Sequence, residues 1–248
     1  MLKVRIIPCL TIKDLRLVKS IQFINHRNIG SYISSVRVFN ARDVDEMIFL
    51  DLDASHDGIK AWLIKEVTKE CFMPLTIGGG IKTIEDIRQV LKLGADKISI
   101  NSAALSDPQF ISRASNIFGK QCIVVSIDAK RIGANFKVFA DGGQNETNWT
   151  TEKWAKEVAR LGAGEILLTS IDRDGVMKGY DTELISLVTK KVSVPVIANG
   201  GAGNLNDFKL AINKGASAVA AASIFQYTQA TPFSIKRHLK RSGIEARI

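Results

Sequence analysis

The sequence predicts a (β/α)8 barrel built from two related half-barrels, with residues 1–248 forming one α/β domain. Three observations lead there. Eight short apolar runs alternate with eight helical patterns, and a length of 248 residues suits eight such units better than a doubly wound sheet. The second half also repeats the first. At an offset of 121 residues Gly79-Gly80 falls on Gly200-Gly201, Asp86 on Asp207, Gly94-Ala95 on Gly215-Ala216 and Ser102 on Ser223. At 119, Glu46 meets Glu165 and Asp53 meets Asp172; at 117, Thr11 meets Asp128 and Lys13 meets Lys130. Small loop insertions between matching units produce such a drift.

Taken in order, the first apolar run is Arg5–Leu10, followed by a helical pattern over Tyr32–Asn40. Glu46–Leu52 precedes Ile59–Glu70, Pro74–Ile77 precedes Ile84–Leu93, and Lys97–Ile100 precedes Pro108–Phe118. The second half runs Cys122–Ile127 then Thr151–Leu161, Glu165–Ser170 then Thr182–Thr189, Val194–Ala198 then Leu205–Asn213, and Ala218–Ala222 then Pro232–Ser242. Each run is short enough for a buried parallel strand, and each helical pattern is long enough to cross back.

With 46% hydrophobic and 24% charged residues, disorder and a collagen-like build are excluded. No run reaches the ~18 apolar residues of a membrane span, and the start lacks a leader pattern, so a cytoplasmic protein without membrane contact is expected. Cys9, Cys71 and Cys122 are far apart with no histidine pair nearby, which signals neither zinc nor disulfides; no metal and no cofactor are expected. His26, His56 and His238 read as surface histidines, Trp149 and Trp154 as packing residues, and Met47 and Met73 as core. A net charge of +9 favours an anionic partner, with nucleic acid, a phosphorylated metabolite and a nucleotide sugar all open. Lys236, Arg237, Lys240 and Arg241 give the last helix a basic face, but no aromatic-interleaved basic motif accompanies it, so nucleic acid is not expected. A non-catalytic basic scaffold ranks low for the same reason.

Loops after the strand C-termini build the site of such a barrel. Gly78-Gly79-Gly80 follows the third strand and Asn199-Gly200-Gly201-Ala202-Gly203 the seventh; Asn101-Ser102 and Ala222-Ser223 open the next units. Glycine admits close approach of an oxyanion, and helix N-termini add partial positive charge. Two such loops in repeat-related places imply one phosphate seat in each half and a ligand with two anionic ends. Lys19, Asp51, Asp128, Ser170 and Asp174 face the same mouth. Asp128 ends an apolar strand and is suited to acid/base work, with a salt bridge to Lys130 or Lys19 as the bland alternative. At the opposite end Arg5, Glu46, Lys97 and Glu165 start their strands, two charges of each sign on what read as alternate strands. They predict a ring of salt bridges around the axis, which serves stability or gates a small polar molecule.

Together these residues resemble the cyclase subunit of imidazole glycerol phosphate synthase. The match runs from Val4-Arg5-Ile6-Ile7-Pro8-Cys9-Leu10 to Gly243-Ile244-Glu245-Ala246-Arg247, and its specific stretches are 76–81, 94–101, 126–131, 161–175 and 200–204. The resemblance implies a barrel that docks on a glutaminase subunit at its bottom face and receives ammonia along the axis. It assigns Arg5, Glu46, Lys97 and Glu165 to the gate of that passage. It also assigns Gly80, Asn101, Ser102, Gly201, Ala222 and Ser223 to phosphate binding, and Thr11 and Asp128 to the two catalytic aspartate positions.

Thr11 departs from that pattern, because a hydroxyl cannot ionise near pH 7 and cannot replace a carboxylate in proton exchange. Other departures sit around the mouth. Asn199 stands where the family has Ser, Gln226 where it has His, and Leu15 and Ser20 replace glycines of the substrate loop. Ser31-Tyr32 replaces Asp-Pro, and 142–148 lacks the family's basic, glycine-containing pattern. Segments 17–20, 36–40, 50–54 and 174–181 resemble the paralogue associated with surface-glycan pathways. That resemblance implies work with a glutaminase and a nucleotide-sugar amidotransferase, ammonia delivery being the retained step. A histidine-pathway cyclase, closing the imidazole ring with Thr11 tolerated, is the alternative.

Overall fold

A computed structural model describes residues 3–42 and 44–247; residues 1, 2, 43 and 248 of the expected span are outside the described residues. The chain opens with β1 (Arg5–Lys13), a hairpin of β2 (Arg16–Ile21) and β3 (Ile24–Gly30), and α1 (Tyr32–Ala41). Next come β4 (Met47–Asp51), α2 (Ala54–Asp57), α3 (Ala61–Glu70), β5 (Leu75–Gly78), α4 (Ile84–Lys92), β6 (Lys97–Ile100), α5 (Ser102–Ser106) and α6 (Gln109–Phe118). The second half follows with β7 (Ile123–Ile132), β8 (Asn135–Ala140), β9 (Asn145–Thr150), α7 (Thr151–Arg160), β10 (Glu165–Ser170) and α8 (Thr182–Thr189). It ends with β11 (Val196–Asn199), α9 (Leu205–Asn213), β12 (Ala218–Ala221), α10 (Ser223–Tyr227) and α11 (Pro232–Arg241).

Eight strands pair in parallel in the order β1-β4-β5-β6-β7-β10-β11-β12, and β12 returns to β1 to close the barrel. Strand alternation splits the apolar residues into two layers. Ile7, Cys9, Ile48, Val124, Leu167, Ile197, Ala218 and Ala220 fill the inside. A larger shell, with Ile6, Leu10, Phe49, Trp154 and Phe208 among its members, packs strands against helices.

Four pairs of hydrogen bonds repeat across the halves, so the sequence repeat is also a repeat of local structure. The Asp53 carboxylate accepts from Asp14 N at 2.6 Å, as Asp172 does from Arg131 N at 2.8 Å. Asp86 accepts from the amides of Lys82 and Thr83, as Asp207 does from Gly203 and Asn204. Thr68 donates to the Leu93 carbonyl and Thr189 to that of Lys214. The two aspartates at the starts of α4 and α9 cap helix N-termini and hold the glycine loops before them in one shape.

The structure adds to the sequence expectation chiefly in the hairpins. β1 and β7 run several residues past the barrel rim and fold back, so the first and fifth units carry an antiparallel excursion. Details at the periphery are corrected. Lys236 is buried and bonds Asp45 at 2.8 Å, so the basic face of α11 consists of Arg237, Lys240 and Arg241. His238 is half-buried rather than on the surface, because its helix packs that side toward the barrel. Among the described residues no helix is long and apolar enough to cross a membrane, and no cluster of three or more His, Cys, Asp or Glu is placed to hold a metal ion.

Candidate functional site

The bottom of the barrel is closed by a complete ionic ring. Arg5 spans two carboxylates, reaching Glu46 at 2.7 Å and Glu165 at 2.6 Å. Lys97 spans the same two from the other side, at 2.9 Å to each. Thr76 adds a hydroxyl to Glu46 at 3.2 Å. The four charges come from the first, second, fourth and sixth barrel strands, so they are not strictly alternate; Arg5 reaches its partners by the length of its fork. Burial would lower the Arg5 pKa, but its hydrogen bonds and charge contacts with Glu165 and Glu46 outweigh that and raise it. Position alone makes this ring compatible with a purely stabilising role, and also with a gate.

Above the ring lies the apolar inner layer, and above that the mouth. Asp128 is half-buried; Asn101 Nδ2 donates to one of its oxygens at 2.9 Å and Ser126 Oγ to the other at 3.3 Å. Burial pushes its pKa up to about 7; Ser126 pulls it down, and the charge of Asp174 adds to the rise. A salt bridge to Lys130 or Lys19, the alternative to an acid/base role, is not what holds Asp128. Asp174 is pushed up to about 6 by burial, against the pull of Lys19. Lys19 is buried, its ammonium 3.4 Å from the Cys9 carbonyl, and burial lowers its pKa. Cys9 is pushed up to about 12, mainly by burial, so it is an inert thiol. Thr11 is half-buried beside it and hydrogen-bonds the thiol.

The remaining mouth residues divide. Asp51 turns outward from the axis: it accepts from Asp53 N at 3.0 Å and pairs with Lys60 at 3.4 Å. Burial raises its pKa, opposed by Lys60. Ser170 is buried, and its hydroxyl has no hydrogen-bond partner among the described residues. The β2–β3 hairpin lies across the rim, with Gln22 N donating to Asp174 O at 2.9 Å and Gln22 Nε2 to Asp172 O at 3.0 Å. Leu15, at φ 55°, turns the chain into that hairpin in the left-handed region that glycine adopts most easily.

The two glycine loops differ in what covers them. Gly201, Ala222 and Ser223 line a small, shallow cleft together with Asp174, Gly175 and Asn199. A side chain on Gly201, at φ 110°, would strike the Gly179 carbonyl. In the first half, Gly80 and the Asn101-Ser102 turn occupy the equivalent place, but the Ser102 hydroxyl accepts from Asp141 N at 3.0 Å. Asp141 belongs to the left-handed turn between β8 and β9, which therefore sits over the first seat.

Two comparisons with known proteins bear on this geometry. The model of the histidine biosynthesis protein family matches residues 5–231. The chain belongs to this family. It is 52% identical, over the full length of both chains, to a Campylobacter jejuni subsp. jejuni serotype O:2 protein provisionally named imidazole glycerol phosphate synthase subunit hisF2. It is 46% identical to imidazole glycerol phosphate synthase subunit HisF of Endomicrobium trichonymphae, with 100% of this chain and 96% of the relative covered. The chain is thus a HisF-like synthase subunit. Within this HisF-like frame the ring brings Arg5, Glu46, Lys97 and Glu165 together, and the mouth groups Asp128 and Asn101 in one set and Lys19 and Asp174 in another. Sequence reasoning missed Ser126 and the Asp141 cover. Ser126 stands two residues before Asp128 on one strand, a spacing that puts both on the same face.

Proposed function

We propose that the chain is the ammonia-conducting synthase subunit of a glutamine-dependent amidotransferase. In this reading a glutaminase docks on the N-terminal face of the barrel, and the ring of Arg5, Glu46, Lys97 and Glu165 gates entry. Neutral ammonia then crosses the apolar inner layer, where an ammonium ion would carry a large desolvation cost. Asp128, poised near neutrality by burial, meets it at the mouth as acid or base. Gly80, Asn101, Ser102, Gly201, Ala222 and Ser223 are the phosphate contacts of the ligand, and Lys19, Ser170 and Asp174 surround it. The first seat needs the Asp141 turn to give way or to add its own amides. No cofactor or metal takes part in this scheme, and the reactions run in the cytoplasm.

The acceptor we propose is a nucleotide-linked sugar handled by a separate amidotransferase, forming an acetamidino group in surface-glycan biosynthesis. The intact ring at the bottom, taken with Thr11 at the mouth, supports this reading: all four expected ring charges are present and paired, while only one carboxylate of the expected catalytic pair is present. The second reading is ring closure in histidine biosynthesis, favoured by the retained Asp128 with its raised pKa. The experiment supplies the histidine-pathway precursor, ammonium salt and the cognate glutaminase, and follows release of the aminoimidazole ribonucleotide. We expect glutaminase binding with turnover at least about 100-fold below that of an Asp-bearing cyclase, the usual contribution of one acid/base group. Turnover adequate for biosynthesis would overturn the glycan reading in favour of the cyclase.

A further inference from the structure

Three successive barrel strands each turn a hydroxyl inward between the ring and the mouth. Thr76 on β5 touches the gate carboxylate Glu46 at 3.2 Å, Ser99 follows on β6, and Ser126 on β7 touches the mouth carboxylate Asp128 at 3.3 Å. Register supports this order. Thr76 pairs with Lys97, Gly78 with Ser99, and Ser99 with Val124, two residues below Ser126. The rest of the inner layer is mostly apolar, with Ile7, Ile48, Leu167, Ile197, Ala218 and Ala220, and Thr11 and Thr169 add hydroxyls on its mouth side.

Ser126 occupies a particular place in that line. Asp128 has two oxygens, and each accepts one side-chain donor: Asn101 from β6 takes one, and Ser126 from its own strand takes the other. Two donors from different directions fix the plane of a carboxyl group about its last torsion, which otherwise turns freely over a broad range. Lys130, two residues further along β7, points to solvent and stacks near Phe139 instead. Among the described residues no cation answers for Asp128 in the way Arg5 and Lys97 answer for the gate.

We infer that Ser126 is a positioning residue for Asp128, orienting its carboxyl group toward the top of the hydroxyl line and favouring its ionised form. This rests on the reading of Asp128 as the acid/base group only for its catalytic meaning; the interaction itself is tested on the resting protein. The full chain is labelled at aspartate carboxyl carbons, and the Asp128 signal, assigned by its loss in Asp128→Asn, is titrated by NMR. Burial pushes the Asp128 carboxyl up to about 7, so the parent midpoint is expected near there. Removing a donor to the charged form should raise proton affinity, so Ser126→Ala is expected to move the midpoint up by about half to one pH unit, a three- to tenfold change.

Ser126→Thr keeps the hydroxyl and is expected to return the midpoint to within about 0.2 unit of the parent, a distinction that a loss of packing would not make. An unmoved or lowered midpoint in Ser126→Ala overturns the proposal, as does an equal rise in both variants. If Ser126→Ala does not fold, Ser126→Cys, a weaker donor, takes its place with a smaller upward shift expected and the same overturning result. Failure of the precursor assay leaves this titration standing, and failure of the titration leaves ammonia conduction standing.

Discussion

The two ends of the barrel treat charge in opposite ways. At the bottom, four charged side chains answer one another in a closed ring, and Arg5 is held more firmly protonated than usual. At the top, Asp128 and Asp174 are enclosed with no ion-pair partner among the described residues, and burial pushes them up to about 7 and about 6. The same fold and similar depths thus give charges that are locked at one end and labile at the other. Labile groups near neutrality are what proton exchange requires, and locked ones suit a rigid opening. The difference comes from partners rather than from burial, because Glu46 is buried as deeply as any mouth residue.

Breaking the ring should have the largest effect. Glu46→Gln strips an ionic partner from both Arg5 and Lys97 while leaving their charges in place, and is expected to cost about 3 kcal/mol in urea unfolding. A loss below about 1 kcal/mol would mean that the ring is decoration. At the mouth the sign reverses. The folded Asp128 binds its proton more tightly than an unfolded aspartate, about 7 against 3.8, so its contribution is fully present below pH 3.8 and is lost as pH rises through 7. Asp128→Asn is therefore expected to be more stable than the parent by about 2 kcal/mol at pH 8, after allowance for its open side, and equal to it near pH 3.5.

Asp174→Asn sharpens the contrast with a smaller gain. Its window closes near pH 6 rather than 7, and Lys19 loses a partner when the carboxylate goes, so about 1 kcal/mol at pH 8 is expected from the same pH series. Arg5→Lys is the mildest change. A lysine at this position loses the two separate guanidinium nitrogens that each hold one carboxylate, and a loss of about 0.5–1 kcal/mol is expected by thermal unfolding.

Much of this architecture was legible from the residues. The eight apolar runs are the eight barrel strands, and the offset of 121 residues that aligns Gly79 with Gly200 also aligns the Asp86 and Asp207 helix caps. The β2–β3 and β8–β9 hairpins were not legible, because their rules are different. Ile24–Gly30 is mostly exposed and polar, with no apolar alternation to reveal it, and its turns use Leu15, Gln22 and Phe23 in place of glycine. Asp51 looked like a mouth residue from its place at a strand end, yet strand alternation sends it outward to Lys60.

By itself the sequence determined the fold, the repeat and the identity of the charged residues at each end, since periodicity and offset are properties of a single chain. Only the tertiary structure decided which charges are satisfied. Arg5 and Glu165 are 160 positions apart and Lys97 and Glu165 are 68 apart, and closure of β12 onto β1 brings all of them to one ring. The Asp128 carboxylate owes its lability to what surrounds it, because a pKa follows from burial and neighbours, which no local stretch of residues encodes.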